Sequence, residues 1–318
     1  MSSRDRLVSL LPGARVLAAG LGFPEGPIAL DDASVLFVEV AAGSLSRVAP
    51  DGDVVRVATL GGGPNGAAIG PDGAVYVCNN GGLGFTVSPR RGWLFPGHAA
   101  NDHRGGSIQR VDLGSGEVST LYEAAAGHRL RAPNDLVFDG DGGFWFTDHG
   151  TVRGRARDLG GLYWARPDGT EIREVVHGLE TPNGVGLSPD GRRLYVAETL
   201  TRSIWSWDVI GPGELDIAPQ RARAGAAFVY ALGDERVFDS LAIDDRGNVC
   251  VGALGRSAGI AVVSPAGELL NVHDMPDPFP TNLCFRSSGQ SVIVTLSATG
   301  QILELPWDTG GAPLAYRA

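Results

Sequence analysis

The sequence predicts an all-β fold, a six-bladed β-propeller with four antiparallel strands per blade, on three observations. A short phrase recurs six times: FPEGPIALDD from Phe23, GPNGAAIGPDG from Gly63, APNDLVFDGDG from Ala132, TPNGVGLSPDG from Thr181, VFDSLAIDDRG from Val237 and FPTNLCFRSSG from Phe279. The residue just before the shared polar position (Pro24, Pro64, Pro133, Pro182, Phe238, Pro280) recurs at steps of 40, 69, 49, 56 and 42 residues, the range of blade repeats. The chain carries 47 glycines and 20 prolines and no sustained apolar helical period, so many short strands and turns are expected and long helices are not.

Within each repeat the phrase itself is the first strand. A run of β-branched and aromatic residues follows, as in AVYVCNN from Ala74, GFWFTDHG from Gly143, RLYVAET from Arg193 and NVCVGAL from Asn248, and reads as the second strand. Phrases such as GSLSRVAPDGDV from Gly43, GSIQRVDLGSGEV from Gly106 and GIAVVSPAGELL from Gly259 supply the third strand and the turn into a fourth. ARVLAAG, Ala14 to Gly20, precedes the first phrase where a fourth strand precedes every other copy. It is therefore expected to complete the sixth blade, with PLAYRA at Pro313 to Ala318 as the rival for that slot. Residues 1–318 are expected to form one domain, since each blade buries its faces on its neighbours. The surplus of the longest step, residues 81–106, is an insertion between the second and third strands of one blade and is expected to act as a lid-like loop.

Several partners and compartments are excluded on composition. A formal net charge of -10 argues against nucleic acid and anionic membrane, which both demand basic surface. The N-terminal apolar run is too short for a signal peptide, and no segment approaches the ~20 apolar residues that spanning needs, so a soluble, cytoplasmic protein is expected. Cys78, Cys250 and Cys284 stand singly in predicted strands without metal-ligand spacing and read as core thiols.

Alignment of the six phrases puts Glu25, Asn65, Asn134, Asn183, Asp239 and Thr281 in one column. First strands line the channel of a propeller, so these side chains are expected to meet at one mouth. Two carboxylates and several amides form a hard oxygen set of the kind that takes Ca²⁺, whereas zinc sites favour His and Cys, which the column lacks. Glu25, Asn134, Asn183 and Asp239 are the expected ligands of one divalent ion, Ca²⁺ first, with Mg²⁺, Mn²⁺, Zn²⁺ or Fe²⁺ as alternatives. Close carboxylates repel one another and invite a cation. Polar residues that are merely solvated in a water-filled channel are the competing reading.

The phrases FPEGP, RAPNDLVFDGDGGFWFTD, TPNGVGLSPDGRRLYVAET and FDSLAIDD resemble those of the gluconolactonase and regucalcin (senescence marker protein) family of six-bladed propellers, over nearly the whole chain. The resemblance implies a channel-bound divalent ion, commonly Ca²⁺, and hydrolysis of a small sugar lactone. It makes Glu25, Asn183 and Asp239 the core ligands and Asn134 a residue that touches metal or substrate. Two departures are visible. The animal regucalcin pattern has an Arg two residues before the substrate Asn, where this chain has Ala132, with Arg131 one step further off. The fluorophosphatase pattern, more distantly similar, has an Asp and a His where this chain has Ala242 and Cys284.

Lactone opening needs a polarised carbonyl, an activated water and an acid for the leaving ring oxygen. Asp239 and Asp135 are the candidate bases, Asp135 with the alternative of orienting Asn134. Ser240 reads as a hydrogen-bond donor to its neighbours, since no nucleophile elbow surrounds it. Glu39, Asn79, Asp148, His149 and Glu198 end second strands and are expected to face the pocket rim. Asn65, Asn134, His149, Arg131 and, from the insertion, Trp93 are the candidate substrate contacts. Arg90, Arg91, Phe95, His98 and His103 accompany Trp93 and suit an acidic or polar ring. The alternatives to a lactonase are a related metal-dependent esterase or organophosphate hydrolase on the same ring, and a non-catalytic metal- or sugar-binding propeller.

Overall fold

A computed structural model describes residues 11–218, 222–287 and 290–317. Strands fill six antiparallel sheets. Blade 1 holds Pro24–Ala29, Val35–Glu39, Ser44–Val48 and Val54–Thr59, and blade 2 holds Pro64–Ile69, Val75–Asn79, Ser107–Val111 and Val118–Tyr122. Blade 3 holds Pro133–Phe138, Phe144–Asp148, Gly160–Ala165 and Ile172–Leu179. Blade 4 holds Pro182–Leu187, Arg193–Glu198, Ser203–Gly211 and Ala227–Ala231, extended by Glu214–Leu215. Blade 5 holds Val237–Ile243, Val249–Leu254, Gly259–Val263 and Leu269–Asp274. Blade 6 holds Pro280–Phe285, Ser291–Leu296 and Gln301–Pro306, and its fourth strand is Arg15–Ala19.

That last pairing settles the closure. Arg15 lies opposite Glu304 and Ala19 opposite Gln301, so the N-terminal strand fills the slot and the Pro313 tail, as far as Arg317, does not. The six first strands touch in sequence around the ring, blade 1 to 2, 2 to 3 and on to 6, and blade 6 touches blade 1 again. Helix among the described residues is confined to the single turn Ala222–Gly225, and no helix there is long and apolar enough to cross a membrane.

The core is divided among the blade interfaces. Val35 and Phe37 pack toward blade 6 with Ile293 and Ile302, whereas Leu36 and Val38 of the same strand pack toward blade 2 with Val75 and Val77. Phe144 and Phe146 likewise join Tyr76 of blade 2, while Trp145 joins Trp205 and Trp207 of blade 4. Side chains alternate across a strand, and both faces of a blade are covered by neighbours, so the second strands are continuously apolar. Cys78 and Cys250 lie in these interfaces, Cys284 packs beside one, and all three are free thiols, as the sequence suggests.

The insertion at 81–106 is not an irregular loop. Leu83–Val87 and Leu94–Ala99 pair as a hairpin, with Thr86 opposite Phe95. GFTV and WLFP carry aromatic and β-branched residues on either side of the Ser88–Gly92 turn, enough to form a ladder once the hairpin has something to lean on. Phe85 packs at a tilt against Phe23 of blade 1 at 5.2 Å and Phe95 meets Phe279 of blade 6 edge-on at 5.6 Å, while Leu94 N donates to Ala298 O at 3.0 Å. The hairpin thus leaves blade 2 and rests on blades 1 and 6, at the end of the ring where the first strands begin.

Candidate metal centre

Each first strand carries one extra residue at the place where the polar column stands. The register slips between Glu25 and Ile28, Pro64 and Ala67, Pro133 and Leu136, Pro182 and Val185, Phe238 and Leu241, and Pro280 and Asn282. Such a bulge bends the strand and re-aims a side chain. Here the same device, repeated in every blade, turns a ladder residue toward the channel.

Beneath the column lies a second tier, the next residue of each strand: Gly26, Gly66, Asp135, Gly184, Ser240 and Asn282. Three of the six are glycine, where neighbouring strands press together at this level. A Cβ on Gly66 would lie 2.5 Å from Asp135 Oδ1, and one on Gly184 would lie 2.5 Å from the Leu241 amide nitrogen. Asn282 donates through Nδ2 to Glu25 Oε2 at 2.9 Å, and Gly26 N donates to the same oxygen at 2.8 Å. Asn282 was not among the residues singled out in the sequence, although its place one step past the column marks it. Ser240, fully buried, donates to Asn183 Oδ1 at 3.3 Å, in line with its expected supporting role.

Glu25, Asn134, Asp135 and Asn183 are buried, and Asp239 keeps a partly accessible edge. Burial raises the pKa of Glu25 against the pull of its Asn282 and Gly26 hydrogen bonds. Burial first, and then the nearby Glu25 charge, raises Asp239 well above the usual carboxylate range and pushes Asp135 up to about 8. These three acids therefore feel one another across the channel. Asn65 Oδ1 and Asn134 Oδ1 are buried amide oxygens with no hydrogen-bond partner, in a tier where nearly every other polar atom has one. Crowded acids beside orphaned amide oxygens are the environment a hard cation would satisfy, so the residues fit a divalent ion. No trio of His, Cys, Asp or Glu is arranged to hold a metal among the described residues. A cation here would accordingly rest on Glu25 and Asp239 together with the amides of Asn134 and Asn183.

Thr281, the sixth column residue, is spent on structure: its hydroxyl meets Thr295 Oγ1 at 2.9 Å and Ser297 Oγ at 2.5 Å. Asp135 lies one tier down, held by Leu136 N at 2.9 Å, and is packed under Gly66.

The rim expectation needs correction. Glu39, Asn79, Asp148 and Glu198 sit in the ladder directly opposite Pro24, Pro64, Pro133 and Pro182. From there their side chains turn back onto the backbone that leads into the first strand. Glu39 accepts from Gly22 N at 2.8 Å, Asn79 from Gly63 N at 2.9 Å, Asp148 from Arg131 N and Ala132 N at 2.7 and 2.8 Å, and Glu198 from Glu180 N at 2.5 Å. A proline removes the donor that would have faced them. They are latches on the column, not pocket residues.

His149, one residue beyond the blade 3 latch, is half-buried; burial lowers its pKa, and its Nδ1 lies 3.3 Å from Gly150 O. Arg131 is half-exposed and its Nε is 3.8 Å from Asp158, whose main partners are Arg153, at 2.6 and 2.8 Å, and the Thr151 hydroxyl at 2.7 Å. His103 Nε2 lies 3.0 Å from both Asn80 O and Arg131 O and ties the end of the insertion to blade 3. Trp93 lies in the hairpin, with the Arg91 guanidinium 4.4 Å above its ring.

The Arg153 hydrogen bonds, ahead of the others, pull the Asp158 carboxyl down from 3.8 to about 2. A depressed carboxylate contributes stability that is present above the unfolded value and lost as pH falls through the folded one. The contribution is about 1 kcal/mol, since Arg153 is largely solvated. Urea unfolding of Asp158→Asn should therefore show a deficit against the parent chain at about pH 5 that closes as the pH approaches 2. A deficit unchanged across that window would exclude the ion pair as its cause.

Comparison with known proteins places the chain among relatives. A family profile described as the SMP-30/Gluconolactonase/LRE-like region matches residues 23–298. A gluconolactonase of Zymomonas mobilis is 26% identical over 317 residues, covering 92% of this chain and 81% of the relative. A lactonase, drp35, of Staphylococcus haemolyticus is 29% identical over 274 residues, covering 84% and 75%. Among solved structures, a calcium-binding protein, regucalcin, of Agrobacterium tumefaciens superposes with a TM-score of 0.70 at 15% identity over 96% of this chain and 98% of its own, which speaks to the fold.

Proposed function

The chain belongs to the SMP-30/gluconolactonase/LRE-like family, and from that premise we propose that it is a metal-dependent lactonase whose substrate is a small sugar lactone. The observation that carries the metal dependence is the pair of orphaned amide oxygens, Asn65 Oδ1 and Asn134 Oδ1, in the column that also holds Glu25 and Asp239, whose carboxyl the Glu25 charge raises. Glu25, Asn134, Asn183 and Asp239 would hold the ion, with Ca²⁺ the choice that an oxygen-only donor set favours. When bound, a divalent cation supplies Lewis acidity at an ester carbonyl and lowers the pKa of adjacent water.

The chain's own groups supply the remainder. Asp239 keeps an accessible edge and is the carboxylate that takes the proton of the attacking water on its side-chain oxygen, then returns it to the ring oxygen as the ester bond breaks. Asp135 lies a tier lower, held by Leu136 N, and serves to position the ring from below. Asn282 fixes the Glu25 carboxylate through its 2.9 Å hydrogen bond, and Ser240 fixes the Asn183 amide. Asn65 and Asn134 present amide groups to the hydroxyls of a sugar ring, with His149 and Arg131 beside them at the mouth. The hairpin Leu83–Ala99 serves as a lid: seated by Phe85 on Phe23 and Phe95 on Phe279, it narrows the approach to the channel.

Stripping the protein with chelator and reloading it with single ions, while following acid release from gluconolactone and other sugar lactones, tests the proposal. Loss of turnover on stripping and its return with Ca²⁺ are expected. Full activity in the stripped protein would overturn the metal assignment, and turnover of aryl esters in preference to lactones would overturn the substrate.

A further inference from the structure

A groove of about 460 Å³ opens between the hairpin and the loops of blades 5 and 6. Trp93, Phe95 and Phe279 contribute aromatic surface to it, and Arg91 and Arg256 line it from the hairpin and from the loop after the second strand of blade 5. Phe279 stands two residues before Thr281 of the column, so the groove lies at the channel end that holds the candidate centre.

Two cations, Arg91 and Arg256, line this groove in a chain whose net charge is negative. The chain carries a formal net charge of -10, and a number of its arginines, among them Arg15, Arg47, Arg110, Arg153, Arg157, Arg193 and Arg236, each meet a carboxylate. Arg91 and Arg256 meet none among the described residues. Arg91 instead has its guanidinium carbon 4.4 Å from the Trp93 ring centre, a cation–π contact that leaves its N–H donors without a carboxylate. The groove's one carboxylate, Asp277, is buried and committed elsewhere, accepting from Phe279 N at 2.6 Å and Thr299 N at 2.7 Å. It offers the arginines no competition.

Two unmatched guanidinium groups beside an aromatic wall, at the mouth of a site for ring esters, select for charge on the substrate. We propose that this groove is a subsite for an anionic substituent, carboxylate or phosphate, carried by the lactone at a position remote from the ester, with Arg91 and Arg256 as the specificity-determining residues. The inference rests on the lactonase reading and narrows its substrate class to acidic sugar lactones. Guanidinium favours both anions by paired N–H donors, so the structure names their shared chemistry and not one of them.

The test compares turnover of glucono-1,5-lactone, its 6-phosphate and a glucaric acid lactone by the parent chain, the Arg91→Gln/Arg256→Gln variant and the Arg91→Lys/Arg256→Lys variant. The parent is expected to prefer the charged lactones in kcat/KM. The glutamine variant should lose that preference by about tenfold at low salt, with the neutral lactone changed less than about twofold, and the lysine variant should recover part of it. Added salt should erode the preference in the parent, because the arginines are exposed. Calorimetric binding of 6-phosphogluconate and glucarate against gluconate reads the subsite without any turnover. A parent chain that opens no lactone yet binds 6-phosphogluconate in an Arg91- and Arg256-dependent way overturns the lactonase reading and keeps the anion site. Equal loss on neutral and charged lactones, or parent binding that distinguishes neither 6-phosphogluconate nor glucarate from gluconate, overturns the subsite itself.

Discussion

Replacing Asp239 by asparagine is expected to weaken divalent-cation binding and to remove most lactone turnover, by about 10²-fold or more. The substitution preserves shape while deleting one of two charges that face a cation, and it removes the accessible carboxylate proposed to carry the proton. Saturating ion should restore occupancy without restoring rate, because the two losses have separate origins in one side chain. The converse change, Asn183→Asp, adds a charge at the same centre. It should bind the cation at least as tightly yet turn over more slowly, since a more neutralised ion polarises a carbonyl less well. Calorimetric titration with Ca²⁺ alongside hydrolysis assays on both variants separates the two effects. Parent-like affinity and rate in Asp239→Asn would remove this residue from the centre.

Asp148→Ala should be among the most damaging single changes to stability. The carboxylate accepts three backbone N–H groups, from Arg131, Ala132 and Gly150 at 2.7, 2.8 and 3.0 Å, and is 3% exposed. Alanine removes the acceptor that these three donors share. The expected cost is about 3 kcal/mol or more, the range for breaking a buried charged acceptor. Asp148→Asn, which retains one acceptor oxygen, should fall between the two. Urea midpoints for the three proteins decide the matter. A midpoint for the alanine variant within error of the parent would show that the latch contributes nothing to the fold.

The ring of blades was legible because it depends on spacing, and spacing is written in the chain. Placing Ala14 to Gly20 in the sixth blade required only that every other first strand be preceded by a fourth. The polar column was legible for the same reason. The bulges beneath it were not, since an extra residue present in all six copies leaves no trace in their mutual alignment. The latches were misread because Glu39, Asn79, Asp148 and Glu198 end at the mouth in sequence, whereas their side-chain direction follows from the register, which puts each opposite a proline or its equivalent. Asn282 and the glycines of the second tier depend on contacts between blades, and those contacts are invisible until the ring is closed. The strands of the insertion were hidden by its many glycines, although Phe85, Trp93 and Phe95 mark where it finds support.

The pairing of Arg15–Ala19 with Gln301–Pro306 joins segments 289 positions apart at the Arg15–Glu304 ion pair. During synthesis the first of these must wait for the five blades between them before its partner exists. Until then the growing polypeptide is an open arc, with the inner face of blade 1 uncovered and the Arg15–Ala19 strand unpaired. Contacts of such long separation slow folding, and an unpaired strand edge is a template for association with other chains. A chain that ends before Gln301 would therefore lack the third strand of blade 6 and leave Arg15–Ala19 without its partner. The seam makes the third strand of blade 6 the element that the first-made strand must await.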